Sequence, residues 1–305
     1  MNAALPLGET RARLDPRVLL ALLVVYMVWG STYLAARVAV SALPAWGLAG
    51  TRYLLAGLVA LAVARLRGER LPSRRDWLLA IPAGLGLFFI GNGFIVVAVK
   101  TLPSGVAAVA AATTPLIAMA INAFRGERPA RTEVAGMVLG FTGVFVLMGA
   151  SAVAGWPALC LVVAPFGFAV GSLIVRALGK GGSPLAVAGP QMITGGAAML
   201  ILSFALGEPW PSAVPWRAAG AWLYLVVFGS LVGFTVYAWL LRHARPAISM
   251  SYAYVNPIVA VLLGAVLGGE RLGFTSAISA VLIASGVMLA VRGKSQVTIR
   301  PSVAK

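Results

Sequence analysis

Residues 103–127 read PSGVAAVAAATTPLIAMAINAFRGE, and residues 246–270 read PAISMSYAYVNPIVAVLLGAVLGGE. Both open on a proline (Pro103, Pro246), carry a second one mid-segment (Pro115, Pro257) and close on Gly-Glu followed by an arginine (Arg128, Arg271). Each is apolar and long enough to cross the hydrocarbon of a bilayer as a helix, which takes about 20 residues. Working outward, further apolar spans fall near 18–40, 46–64, 77–99, 134–150, 156–178, 185–206, 218–241 and 274–291, with the two quoted stretches supplying 104–124 and 247–267. The ten spans form two sets of five, and the second echoes the first. Gly93-Phe94 and Ala98 recur 140 positions later as Gly233-Phe234 and Ala238, and Gly143-Val144 recurs as Gly286-Val287. An odd number of spans per copy places the second copy upside down in the membrane, an architecture shared by many alternating-access transporters. The expected fold is all-α and integral to the membrane: ten transmembrane helices, as two inverted-topology five-helix repeats around a central cavity. Residues 18–150 form the first repeat, 151–291 the second, and 1–17 and 292–305 are tails.

Composition agrees. The chain of 305 residues is 60% hydrophobic and 10% charged, with a mean hydropathy of +0.95, which is too little polar surface for a soluble globule. A net charge of +16 would suggest nucleic acid in a soluble protein, but here its placement points to the bilayer instead. Of the 24 Lys and Arg, 19 lie in the tails and alternate connections: Arg11, Arg13 and Arg17; Arg65 to Arg75; Arg125, Arg128 and Arg131; Arg176 and Lys180; Arg242 and Arg245; and the last residues. The positive-inside rule then sets both termini in the cytoplasm. The first span runs past 20 residues and carries Trp29, Tyr33 and Arg37, so it reads as a retained helix and not a cleaved signal. Cys160 is the single cysteine, which rules out an intrachain disulfide and argues against a thiolate metal site.

Trp29-Gly30-Ser31 in the first span, Arg52-Tyr53-Leu54-Leu55-Ala56-Gly57 in the second, the proline-punctuated fourth and ninth spans and their Gly-Glu-Arg endings give the chain a resemblance to a known family. With these residues it resembles the EamA family of the drug/metabolite transporter superfamily, along essentially its whole length. The resemblance implies ten helices, cytoplasmic termini, a central cavity and export of small metabolites, amino acids among them. Pro165-Phe166-Gly167-Phe168 departs from the family pattern, in which a tryptophan is common.

Several polar residues inside spans are candidates for contact with a solute. Tyr26, Trp29, Tyr33 and Arg37 follow steps of three and four and fall on one helical stripe. On a cavity wall, such aromatic faces hold apolar or cationic groups and a guanidinium attracts a carboxylate. The same stripe also reads as an interfacial belt with a snorkelling arginine. Arg52 lies six residues into its span, where a guanidinium needs water, a partner or a substrate. Ser249, Tyr252 and Asn256 precede Pro257, and Thr113 and Thr114 precede Pro115. A proline frees a backbone carbonyl, which lipid does not tolerate unpaired. These places read either as hinges facing a wet cavity or as kinks whose hydroxyls bond the preceding turn. Asn92, Gln191 and Tyr237 are further candidates, for which interhelical hydrogen bonds are the plainer reading. Gly136, Gly140 and Gly143 share a side of their span and read as helix packing.

All eight acids lie in connections, tails or span ends, which argues against a mid-membrane carboxylate proton relay. The single histidine, His243, sits in a basic connection, so neither a hydrolytic triad nor a metal cluster is evident, and no catalytic residue, cofactor or metal is expected. The sequence therefore reads as a non-enzymatic secondary transporter in a bacterial-type inner membrane, exporting amino acids or related amphipathic solutes by alternating access. Drug-like or phosphorylated metabolites are the alternative cargo, and an intramembrane enzyme or a scaffold are the rival classes. The expected partners are a small solute and the lipid bilayer, without nucleic acid; monomer and homo-oligomer both stay open.

Overall fold

The computed structural model describes residues 15–126, 130–150, 155–177, 183–244, 251–270 and 273–292. Among them ten helices follow one another and no strand occurs. They are α1 (Pro16–Val40), α2 (Ala45–Leu66), α3 (Arg74–Val99), α4 (Ser104–Phe124), α5 (Arg131–Ala150), α6 (Trp156–Ala177), α7 (Pro184–Ala205), α8 (216–243), α9 (Tyr252–Val266) and α10 (Phe274–Arg292). Seven of them, α1 to α4 and α6 to α8, contain a window long and apolar enough to cross a membrane.

Local chemistry sets the helix ends. Asp15 caps α1 by accepting from the Arg17 amide at 2.8 Å, Pro16 follows at the first helical position, and Ser73 with Asp76 forms a capping box on α3. At the other ends the chain turns through the left-handed region at Gly68 (φ +68°), Gly126 (φ +96°), Gly207 (φ +62°) and Gly269 (φ +62°), conformations that glycine enters without a Cβ penalty. Each of these glycines is followed by a glutamate, and three of the four are described. Glu69 accepts from the hydroxyl of Ser183, the residue that caps α7. Glu208 accepts from the amides of Trp46 and Gly47 at the start of α2. Glu270 accepts from those of Ser104 and Gly105 at the start of α4. Glu208 and Glu270 thus each follow one helix and cap another, supplying the carboxylate that a helix N-terminus attracts, while Glu69 holds the serine that caps α7.

Glu69 and Glu208 bind opposite ends of the α2–α7 pair, so the two helices run antiparallel. Their contact is backbone-close. A Cβ on Gly57 would lie 2.7 Å from the Gly189 carbonyl, and one on Gly196 would lie 2.9 Å from that of Gly50. Small residues in register let helices approach in a medium where hydrophobicity gives no drive between them. α5 and α10 pair the same way: a Cβ on Gly286 would lie 2.6 Å from both the Gly136 carbonyl and the Gly140 amide nitrogen. Gly286→Val is expected to destabilise the protein by more than about 2 kcal/mol through this collision. A melting temperature in detergent equal to that of the wild type would disprove it.

Two features were not read from the sequence. α3 and α8 each contain a wide π-helical stretch, Leu85–Gly93 and Leu225–Val232. They begin 140 positions apart, the same interval that relates Gly93-Phe94 to Gly233-Phe234. Each carries a side-chain bond to the carbonyl five residues back, from Asn92 Nδ2 to Leu87 at 2.8 Å and from Ser230 Oγ to Leu225 at 3.1 Å. π-Helical turns recur at functional sites. The paired prolines also behave differently. α4 breaks into Ser104–Ala111 and Thr114–Phe124, whereas α9 runs on through Pro257. Pro115 has no N–H to give the Ala111 carbonyl, and the Thr114 hydroxyl takes that acceptor instead at 2.7 Å.

Candidate functional site

Seven of the ten helices contribute to one cavity of about 100 Å³: α1, α2, α3, α4, α6, α8 and α9. One water needs roughly 10–15 Å³ by the same measure, so the space holds several waters or a small solute. Its wall contains Trp29, Thr32 and Tyr33 of α1, Arg52 and Tyr53 of α2, Asn92 of α3, Thr114 and Pro115 of α4, Phe168 of α6, Gly229 and Phe234 of α8, and Tyr252 and Asn256 of α9.

Among the described residues Arg52 is the charged group of this wall, 5% exposed. Its Nε donates to Ser230 Oγ at 3.0 Å, and that hydroxyl donates onward to the Leu225 carbonyl within the π-helical stretch of α8. The guanidinium carbon stands 4.5 Å from the Tyr53 ring centre. The site is shaped around the fork, since a Cβ on Gly229 would come within 2.9 Å of Nη2. Among the described residues no carboxylate lies within 4.0 Å of Arg52. A buried guanidinium on neutral partners keeps donors for an anion.

The aromatic side of the wall centres on Trp29. Its ring lies 5.3 Å from Phe234, 4.9 Å from Tyr237 and 5.0 Å edge-on from Tyr252, and its Nε1 donates to the Gly229 carbonyl at 3.3 Å. Two buried polar atoms of wall residues, Asn256 Oδ1 and the Tyr53 hydroxyl, have no hydrogen-bond partner among the described residues. The arrangement pairs a fixed positive charge with flat apolar faces and neutral polar groups. It suits an anionic head on an apolar body.

Comparison with known proteins places this geometry in a family. The model of the EamA-like transporter family matches the chain twice, over residues 16–149 and 155–292. The chain belongs to the EamA-like transporter family. Across 93% of its length this EamA-like chain is 36% identical to the uncharacterized inner membrane transporter YedA of Escherichia coli strain K12, covering 94% of that protein. It is 29% identical to the aromatic amino acid exporter YddG of Ancylobacter novellus, over 87% of this chain and 93% of that one. A solved crystal structure superimposes with a TM-score of 0.64 at 23% identity, covering 90% of this chain and 96% of the other, which supports the fold. The protein is therefore a multi-pass membrane transporter.

The structure of this EamA-like transporter sorts the residues that the sequence singles out. Trp29, Tyr33, Arg52, Asn92, Thr114, Pro115, Tyr252 and Asn256 meet at the cavity. Ser249 lies outside the described residues. The α1 stripe is longer than the cavity, and its end members fall elsewhere. Tyr26 hydrogen-bonds Ser251, while Arg37 donates to Glu270 Oε1 at 2.9 Å and to the Leu102 carbonyl at 3.2 Å. Tyr237 touches the wall from behind, through Trp29 and Tyr252. Gln191 is buried where α7 presses on α3, its carbonyl against Gly84, and Pro257 lies off the cavity wall. The sequence reading missed Thr32, Tyr53, Phe168, Gly229 and Phe234 as wall residues, because nothing in an apolar span marks the side that turns inward. It also missed the capping carboxylates. Their signal was present: the Gly-Glu step that ends the two quoted stretches occurs again at Gly68-Glu69 and Gly207-Glu208.

Proposed function

We propose that this protein is a secondary transporter that exports small carboxylate-bearing metabolites, amino acids or related amphipathic solutes, by alternating access. In this reading the chain forms ten transmembrane helices in two inverted five-helix repeats. Both termini face the cytoplasm of a bacterial-type inner membrane, and the solute binds in the shared cavity. The observation that carries it is Arg52, a buried guanidinium on the cavity wall with neutral partners and aromatic faces around it. A charge in that position costs several kcal/mol unless something compensates it, and a transported carboxylate does so during part of each cycle. Support for the duplication comes from the two successive matches to the family model and the matching interval of the π-helical stretches. Support for the cargo comes from relatives, of which YddG is named as an aromatic amino acid exporter.

The reading predicts counterflow. Proteoliposomes preloaded with a pool of unlabelled amino acids and 2-oxo acids should take up labelled members of the pool transiently above equilibrium. Uptake no greater than in protein-free vesicles would overturn the reading and leave a scaffold or an enzyme in its place.

A further inference from the structure

We infer that the cavity selects solutes carrying one net negative charge over zwitterions of the same skeleton, so that the membrane potential alone drives their export. The inference rests on the transporter reading above and concerns the same site.

It follows from a census of charge. Among the described residues Arg52 is the only charged one in the cavity wall. The other arginine that lies within a span away from the basic connections, Arg37, is neutralised by Glu270 at 2.9 Å, outside the wall. No acid of the sequence falls at the middle of a span. What the wall offers besides Arg52 is neutral: the Thr32 and Thr114 hydroxyls, the Asn92 and Asn256 amides, and the rings of Trp29, Tyr33 and Tyr252. Both threonine hydroxyls already donate to carbonyls of their own helices, at 2.6 and 2.7 Å.

A carboxylate that docks on the guanidinium cancels the cavity's charge if it arrives as a monoanion. An α-amino acid brings an ammonium with its carboxylate, so the loaded cavity keeps one uncompensated positive charge. Hydroxyls, amides and ring faces solvate that charge in part, but none of them cancels it, and surroundings of low dielectric amplify the difference. Solutes with a net positive charge meet repulsion with no compensating group.

The charge of the solute also decides the driving force. An inside-negative potential of about 100 mV multiplies the outward equilibrium ratio of a monovalent anion about fiftyfold and leaves that of a zwitterion unchanged. Export then needs no coupling ion, in keeping with a cavity wall that, among the described residues, holds no carboxylate for a proton.

The test compares pairs of one skeleton, phenylpyruvate with phenylalanine and 4-methyl-2-oxopentanoate with leucine, at neutral pH in proteoliposomes of the full chain. A potassium gradient with valinomycin sets the potential, and the equilibrium ratio does not depend on which way the protein has inserted. The oxo acid of at least one pair should leave at least tenfold faster than its amino acid. Its outward distribution should follow the potential towards fiftyfold, and the amino acid's should stay flat. Amino acids moving as fast as their oxo acids, or oxo acid distribution indifferent to potential, overturns the charge selectivity and leaves the transporter reading standing. If no member of either pair moves above protein-free vesicles, the transporter reading falls, and this inference with it.

Discussion

Arg52→Gln is expected to cut carboxylate transport roughly 10- to 150-fold, because hydrogen bonds to a charged group contribute about 1.5–3 kcal/mol. The same substitution should leave thermal stability unchanged or raise it. The guanidinium is buried with Ser230 Oγ and the Tyr53 ring as neutral neighbours, and a buried charge without a counter-ion opposes folding. A residue kept against stability is one that the function requires. Arg52→Lys keeps the charge but loses the two-pronged geometry, and should recover part of the rate. The check is initial transport rate per folded molecule beside a melting curve of each variant in detergent. A variant that melts earlier yet transports at the wild-type rate would make Arg52 a strut between α2 and α8 and remove it from solute binding.

Glu270→Ala should have the opposite signature, a loss of stability of about 3 kcal/mol. Its side chain is 1% exposed and joins three elements. It accepts from the Ser104 amide at 3.0 Å and the Gly105 amide at 3.4 Å, where α4 begins, and from Arg37 near the end of α1. Losing the carboxylate leaves two helix N-terminal donors without their acceptor, each costing about 1–3 kcal/mol when buried. Arg37 is 38% exposed and turns to solvent at small cost, so Arg37→Gln should lower the melting temperature far less than Glu270→Ala. Glu270→Gln should fall between them, since an amide oxygen accepts but carries no charge for the helix dipole. Glu208→Ala should repeat the effect at α2, where Glu208 accepts from Trp46, Gly47 and, at 2.7 Å, the Ser203 hydroxyl. Equal melting temperatures for Arg37→Gln and Glu270→Ala would assign the stability to the ion pair and not to the cap.

These two carboxylates show how a local signal can be legible while its meaning is not. Gly-Glu at the end of an apolar span reads as punctuation: a glycine for the left-handed turn and an acid in the connection. That the acid reaches the first turn of a different helix depends on which helices lie side by side, and no span encodes its neighbour locally. The stripe on α1 makes the same point. Periodicity put Tyr26, Trp29, Tyr33 and Arg37 on one face, and two of the four reach the cavity, because a face is a direction and a cavity has a finite length along it. The π-helical stretches were illegible for a further reason: Leu85–Gly93 and Leu225–Val232 are largely apolar, and their composition suits an ordinary helix as well as a widened one.

By itself the sequence determined the membrane setting, the helical class, the approximate spans and the echo between halves. These follow from properties summed along the chain: hydropathy over a span, proline and glycine at fixed places, arginines gathered in alternate connections. Only the tertiary structure decided that Arg52 stands in the cavity among neutral partners, that Arg37 is taken by Glu270, and that Gly229 leaves the guanidinium its room. In a bilayer the lipid-facing and protein-facing sides of a helix are both apolar, so the contrast that reveals the inward side of a soluble helix is missing. Rotation and crossing of the helices, set by close contacts such as Gly57 on Gly189, choose which polar groups meet.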